Sequence, residues 1–119
     1  MPKVKARWGV IISFAWTTAD FIAGRKTATR RFWSALYAAK FPVGSVHKAY
    51  DKSPRFGGKQ IGLIRITACF KQFLEEMTPS DLSEEGTLWS SVDEYVDMMC
   101  AQGKGNYPWV VKIEKLCQK

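Results

Sequence analysis

Residues 21–33 read FIAGRKTATRRFW, in which four cations and two threonines follow a glycine. Gly24 is suited to the left-handed conformation that ends many helices, so a short helix is expected to stop there. If the chain beyond it is extended, Thr29 and Arg31 lie on one face of the strand and Arg30 lies on the other. This segment therefore predicts a helix end followed at once by a strand with two chemically different faces.

The clearest strand signal is IGLIRITACF at residues 61–70. Ile64, Ile66, Ala68 and Phe70 recur at every second position, which predicts a strand with one buried face. A strand is expected within residues 7–16, followed by a short helix that Thr17 and Asp20 can cap and that packs through Ala19, Ile22 and Ala23. A helix within residues 32–40 and a strand edge with a basic loop in residues 43–60 come next. Two further helices begin at the caps Thr78 and Ser91, the first reaching Glu85, and a final strand starts at Trp109. Helices that interrupt several non-adjacent strands predict a mixed α+β domain, with a small curved sheet or partly closed barrel and short flanking helices.

Length and composition limit the class of protein. A chain of 119 residues with 46% hydrophobic content suits one compact domain spanning residues 1–119. The longest strongly apolar run, residues 8–16, is too short to cross a bilayer, and the first residues lack the apolar core of a secretion signal, so a cytoplasmic protein is expected. The three cysteines and the single histidine form no recognisable zinc pattern, so we predict reduced thiols and neither a metal nor a cofactor.

The net charge of +7 is distributed unevenly along the chain. Residues 1–71 contain fourteen Lys and Arg against two Asp, whereas residues 72–119 contain four against nine Asp and Glu. Such asymmetry concentrates phosphates at one surface if folding keeps the two segments apart. The charge pattern is therefore compatible with a nucleic-acid ligand without establishing one.

Together with the strand and short helix before it, FIAGRKTATRRFW resembles the glycine-lysine-threonine-arginine signature of ASCH domains, which belong to the PUA-like superfamily. The later order of elements is also similar across most of the chain. The resemblance implies a β-barrel-like fold with a cleft beside the motif, and a ligand related to RNA. It further implies ligand-binding roles for the residues of the motif: Gly24, Arg25, Thr27, Arg30, Arg31 and Trp33.

Some small bacterial members of this family are amidohydrolases of acylated cytidine, in which a lysine, a threonine and a glutamate are proposed to act together. Lys26 and Thr29 match the first two residues. The glutamate precedes a helix in the latter half of the chain, where Glu85 of LSEEGTLW is the best match and Glu84 the second. The resemblance thus implies a catalytic group of Lys26, Thr29 and Glu85.

Physical chemistry makes this catalytic group reasonable under one condition. A partly desolvated lysine crowded by arginines loses preference for its charged form, and a neutral lysine can activate a threonine hydroxyl as a nucleophile. Lys26 and Thr29 are three residues apart, so the chain must bend between them for both to face one site. Glu85 would orient the lysine or protonate a leaving amine. Its place near a helix end opposes the helix dipole, but an exposed glutamate there costs only about 0.3 to 1 kcal/mol.

Binding without catalysis needs fewer coincidences, and we expect a pocket centred on Lys26, Thr29, Arg30 and Arg31 that holds RNA or a modified nucleoside or nucleotide. The arginines suit forked contacts with phosphate, and an aromatic side chain would stack on a base. The stacking candidates are Trp33, Tyr37 and Trp89, and a second basic rim is offered by Lys48, Lys52, Arg55 and Lys59. The alternatives are the metal-independent amidohydrolase and, less well supported, a ribonuclease. His47 and Cys69 are expected to be structural, and the oligomeric state is left open.

Overall fold

The computed structural model describes residues 10–116, which form one five-stranded sheet flanked by short helices. The strands are β1 (Ile12–Ser13), β2 (Ala28–Arg31), β3 (Val46–Tyr50), β4 (Gln60–Lys71) and β5 (Trp109–Leu116). Their order in the sheet is β1-β3-β4-β5-β2, with β1 parallel to β3 and every other pair antiparallel. The sheet curls into a half-barrel, and the predicted mixed α+β class is confirmed.

The helices are α1 (Thr18–Ile22), α2 (Ala35–Ala38), α3 (Pro79–Glu85) and α4 (Val92–Cys100). The two later helices begin at the predicted caps, because the hydroxyls of Thr78 and Ser91 accept the backbone N–H groups of Asp81 and Glu94. Three single turns of 3-10 helix, Ala15–Thr17, Pro54–Phe56 and Leu74–Glu76, join the other elements. None of the helices within residues 10–116 is long and apolar enough to cross a membrane.

The apolar core lies against the sheet and is built mainly from alternate residues of its central strands. Its buried members are Ile12, Phe14, Phe21, Phe41, Ala49, Ile64, Ile66, Val111 and Ile113. A second apolar cluster of Leu74, Met77, Tyr95 and Met99 lies under α4. The stripe on α4 is typical of an amphipathic helix that packs through one face.

Two expectations about packing are wrong. The alternation of β4 does not continue to Phe70, which is 41% exposed, because a bulge between Ile66 and Ala68 shifts the register against β5 and turns Cys69 toward the core. In α1 the buried apolar residue is Phe21, whereas Ile22 is 52% exposed. The predicted strand in residues 7–16 is reduced to Ile12–Ser13, and residues 7–9 lie outside the described part of the chain.

Candidate ligand-binding site

A bend between α1 and β2 separates the lysine of the motif from the threonine. Gly24 follows α1 with φ +80°, in the left-handed region expected of it. The next two backbone N–H groups both donate to the carbonyl oxygen of Asp20, at 2.8 and 3.2 Å. β2 begins only at Ala28, so Lys26 lies on the bend while Thr29 lies on the strand. The condition that both side chains reach one site is therefore met by the backbone.

Asp20 fixes this bend to the end of α3. Its carboxylate accepts the backbone N–H of Thr87 at 2.9 Å, the Thr87 hydroxyl at 2.9 Å and Nε of Arg25 at 2.8 Å. A Cβ on Gly86, whose φ is +130°, would lie 2.6 Å from Oδ2 of Asp20, so a side chain at this position would collide with the Asp20 carboxylate. Asp20 thus joins two distant segments. The predicted cap of α1 by Thr17 and Asp20 is wrong, because the helix has no side-chain cap.

Glu85 is the last residue of α3 and the centre of a buried ionic cluster, which we call the Glu85 cluster (Lys26, Arg30, Glu85 and Tyr95). Oε1 of Glu85 accepts Nζ of Lys26 at 3.2 Å and the hydroxyl of Tyr95 at 3.0 Å, and Oε2 accepts Nη1 of Arg30 at 2.7 Å. Lys26 also donates to the Glu85 carbonyl oxygen at 2.8 Å. Each of these four residues is less than 7% exposed. Two cations thus share one carboxylate away from water.

Burial changes the acid–base behaviour of this cluster. It lowers the pKa of Lys26 below the ordinary 10.5, an effect that the negative charge of Glu85 opposes only in part and the positive charge of Arg31 reinforces. Burial and the negative charge of Glu85 both raise the pKa of Tyr95. Tyr95 therefore stays a hydrogen-bond donor to the carboxylate, whereas Lys26 gives up its proton more readily than an exposed lysine.

Thr29 and Arg31 lie together on one side of β2, as the strand alternation predicted. Nε of Arg31 donates to Oγ1 of Thr29 at 3.0 Å, and Nη2 of Arg31 donates to the Ser13 carbonyl oxygen at 2.6 Å. A cationic donor favours negative charge on the hydroxyl oxygen it contacts. No hydrogen bond joins Lys26 to Thr29 within residues 10–116, because the ammonium group is engaged by Glu85.

One cavity of about 460 Å³ brings these side chains together. Its charged lining consists of Lys26, Arg30, Arg31, Glu85 and Lys104, and its aromatic lining of Phe14, Trp16, Phe32, Trp33, Trp89 and Tyr95. Thr29 lines the cavity as well. The volume lies within the range of small-molecule sites, roughly 300 to 1,000 Å³. Four cations against one carboxylate leave the lining net positive, which suits an anionic or strongly polar ligand.

Three residues predicted to bind ligand do not line this cavity. Gly24 and Thr27 are exposed beside the bend, and Thr27 uses its backbone to join Glu84 and Ile113. Arg25 lines a separate cavity of about 480 Å³, which borders the first because Trp89 lines both. Gly24 and Thr27 therefore shape the bend, and their predicted ligand contacts find no counterpart in the lining.

The remaining candidates lie elsewhere. Glu84, the second choice for the acidic residue, forms an ion pair with Lys112 at 3.3 Å and lies outside the lining. Tyr37 packs edge-on against Trp33, with 5.2 Å between the rings. His47 is fully buried, with Nε2 2.7 Å from the Ser45 hydroxyl and Nδ1 2.8 Å from the Val10 carbonyl oxygen. The predicted second basic rim also lies outside the lining (Lys48, Lys52, Arg55 and Lys59).

Trp16 and Lys104 are among the cavity residues that sequence reasoning missed. Trp16 was assigned to a strand but lies in the turn after β1, and Lys104 lies in the connection between α4 and β5. Both are exposed at the cavity. The turn-rich composition of residues 101–108 was visible in the sequence, but which cavity that loop approaches depends on the fold. No group of three or more His, Cys, Asp or Glu within residues 10–116 is placed to hold a metal ion.

Comparison with known proteins supports the fold. No family model matches the chain, and no curated protein matches it either. The structure is similar to the crystal structure of protein EF3133 from Enterococcus faecalis V583, of family DUF984, with a TM-score of 0.59 and 14% sequence identity. The superposition covers 98% of this chain and 82% of that protein. At this sequence identity the likeness shows a shared fold, a mixed α+β domain with a curled sheet.

Proposed function

We propose that this chain is an ASCH-like domain that binds one nucleotide unit, from RNA or as a free modified nucleoside or nucleotide, in the cavity beside β2. The observation that carries the proposal is the joint lining of one cavity by buried cations and by aromatic rings. Guanidinium groups suit phosphate and carbonyl oxygens, and indole rings suit the faces of bases. A cavity of about 460 Å³ suits one such unit and not a long strand.

The test of this proposal is a titration with cytidine, cytidine 5′-monophosphate and a short oligocytidine RNA at several salt concentrations. Affinity for the charged ligands is expected to fall as salt rises, because binding releases counterions. Lys104→Met removes an exposed cation from the cavity and should weaken binding of the monophosphate. Lys59→Met removes a cation that is also exposed but lies outside the cavity, and it should leave the affinity unchanged. Equal effects of the two variants would contradict the assigned site.

A second candidate function is hydrolysis of an acylated cytidine, and one observation favours it. Lys26 and Thr29 line the same cavity, and burial lowers the pKa of that lysine. In this reaction Lys26 takes the proton of the Thr29 hydroxyl while Oγ1 attacks the acyl carbon. The amide C–N bond then breaks, the cytidine amine leaves with a proton, and water releases the acyl group from Thr29.

The geometry assigns different parts to the neighbouring groups in this reaction. Arg31 would stabilise the threonine oxygen as it becomes negative, since its Nε already donates to that oxygen at 3.0 Å. Glu85 accepts hydrogen bonds from three side chains, which fits orientation of Lys26 better than donation of a proton. The lysine must exchange its contact with Glu85 for one with Thr29 during the reaction.

The enzymatic proposal is tested by following acetate release from N4-acetylcytidine. Thr29→Ala and Lys26→Ala should abolish turnover, Thr29→Ser should retain part of it, and Arg55→Ala should have no effect. If Lys26 acts as the base, the rate should rise with pH through its lowered pKa. Turnover that persists in Thr29→Ala would exclude this residue as the nucleophile, and cleavage of the oligocytidine RNA would favour a ribonuclease instead.

A further inference from the structure

Trp16 is the most exposed of the three tryptophans that line the cavity. The residue is 85% exposed, although indole is among the largest apolar side chains. The other two have ring partners: Trp33 stacks on Phe41 with 4.3 Å between centroids, and Trp89 lies edge-on to Tyr95 at 4.7 Å. Within residues 10–116 no aromatic ring covers Trp16, so both of its faces are accessible at the cavity.

The turn that carries Trp16 contains a residue in an uncommon conformation. Ala15 has φ +47°, and it is the one non-glycine residue with positive φ among residues 10–116. L-residues with a Cβ seldom adopt this region. The turn is held there because the Ala15 N–H donates to the Asp51 carbonyl oxygen at 2.8 Å and the Thr18 hydroxyl donates to the Ala15 carbonyl oxygen at 2.7 Å. Strained backbone that its surroundings maintain is concentrated at ligand sites.

The base of this turn is anchored to the cavity wall. Ser13 accepts a hydrogen bond from Nη2 of Arg31 at 2.6 Å, and buried Phe14 stacks on Phe21 with 4.6 Å between centroids. The indole therefore extends into solvent from a backbone that is fixed on both sides. A fixed platform of this kind needs little ordering when a planar ligand binds, which favours affinity.

We propose that Trp16 stacks on the base of the bound ligand and covers the open side of the cavity. This inference rests on the proposed function, since it requires a ligand with a planar aromatic ring. Stacking tolerates any base because every base has a π-face. Trp16 thus supplies affinity, whereas the polar groups deeper in the cavity distinguish one ligand from another.

The experiment is a calorimetric titration of the wild type and of Trp16→Ala with cytidine 5′-monophosphate and N4-acetylcytidine. Affinity is expected to fall by roughly 5- to 150-fold for both, as for other stacking residues changed to alanine. Trp16→Phe keeps an aromatic ring and should retain most of the affinity. Leu36→Ala is the matched control, because Leu36 is also 85% exposed but lies outside the cavity.

The outcomes separate this inference from the function on which it rests. If the wild type binds neither ligand nor oligocytidine RNA, the proposed function is wrong and the stacking role falls with it. If the wild type binds and Trp16→Ala binds equally well, the stacking role is overturned while the proposed function stands. Ligand quenching of tryptophan fluorescence, compared between the wild type and Trp16→Phe, tests the contact itself and should be weaker in the variant.

Discussion

Two buried regions of this molecule differ in what holds them together. The core against the sheet is built from aliphatic and aromatic side chains, from Ile12 to Ile113 along the chain, whose burial removes apolar surface from water. The Glu85 cluster is equally buried but consists of charged and hydrogen-bonding groups. Burying ions costs desolvation energy, and the attraction between the ions often does no more than offset that cost. A buried ionic cluster is therefore weak evidence for a stabilising role. Its position in the wall of a cavity favours a functional one.

The difference extends to the completeness of contacts. The apolar core is packed with interlocking rings, such as Phe14 on Phe21. In the polar region, Nε of Arg30 is the one buried side-chain nitrogen or oxygen within residues 10–116 that lacks a hydrogen-bond partner. Its Nη atoms bind Glu85 and Gln72, each at 2.7 Å. An unsatisfied buried donor is unfavourable in a structural element.

The largest expected loss of stability follows removal of the carboxylate at the centre of the Glu85 cluster. Glu85→Ala leaves Lys26 and Arg30 buried without their carboxylate and should lower the free energy of unfolding by about 3 to 5 kcal/mol. Glu84→Ala changes the adjacent residue, whose partly exposed pair with Lys112 should contribute only about 0 to 1 kcal/mol. Denaturant unfolding of both variants measures the difference. Similar losses would mean that the Glu85 cluster is no more important than a surface ion pair.

Asp20 is a buried carboxylate that lies outside the cavity lining, so it separates the effect of buried charge from the effect of the cavity. Burial raises the pKa of Asp20, but the hydrogen bonds from Thr87 and Arg25 outweigh that effect and hold it below the ordinary 3.8. Because the folded pKa is lowered, the stabilisation is complete above pH 3.8 and is lost as pH falls through the folded pKa. Asp20→Asn should therefore cost about 1.5 to 3 kcal/mol at neutral pH, and its difference from the wild type should shrink in acid.

Unfolding curves of the wild type and of Asp20→Asn between pH 2 and 7 test this role of the Asp20 carboxylate. Ligand affinity of the folded Asp20→Asn protein should change less than its stability, because Asp20 lies outside the cavity lining. A stability difference that is independent of pH would show that the charge of Asp20 is not what joins the bend to α3.

A substitution in the apolar core should lower stability and leave ligand binding unchanged. Ile64→Val removes one methylene group from a fully buried position on β4 and should cost about 0.5 to 1.5 kcal/mol. Ligand affinity should be unchanged, since Ile64 does not line the cavity. Unfolding and titration of the same protein sample measure both quantities. A loss of affinity as large as the loss of stability would mean that the core and the cavity are not separable.

The two regions also differ in how far they could be predicted from the sequence. Alternation in residues 61–66 and the stripe of Tyr95 and Met99 on α4 depend on local spacing, so the core they form was predictable. The Glu85 cluster was not, because Glu85 lies 55 residues from Arg30 and 59 from Lys26 and meets them only when α3 packs on β2. The sole local signal was a carboxylate at the unfavourable end of a helix dipole. The resemblance to ASCH domains indicated the pairing of Lys26 with Glu85, which the periodicity of the sequence could not indicate.

Elsewhere prediction failed because backbone geometry overrode side-chain type. The bulge in β4 exposes Phe70 and turns Cys69 inward, although neither residue signals a bulge. Trp16 was missed for a related reason: alanine has no preference for positive φ, so nothing local indicates that Ala15 turns the chain there. The turn at Ala15 lines the cavity, whereas the bulge in β4 lies outside the lining.

The smallest expected change in stability comes from the turn at Ala15, whose left-handed backbone should lower the free energy of unfolding. In Ala15→Gly, loss of Cβ relieves about 1 to 2 kcal/mol of left-handed strain, while the more flexible unfolded chain opposes it by roughly 0.5 to 1 kcal/mol. The net result should be a gain of about 0.5 kcal/mol, whereas the same change in exposed Ala19 of α1, whose backbone is helical, should destabilise. Thermal unfolding of the two variants compares the signs directly. Because Ala15→Gly also loosens the support of Trp16, its affinity for cytidine 5′-monophosphate should fall slightly as its stability rises, and destabilisation by both variants would exclude strain at Ala15.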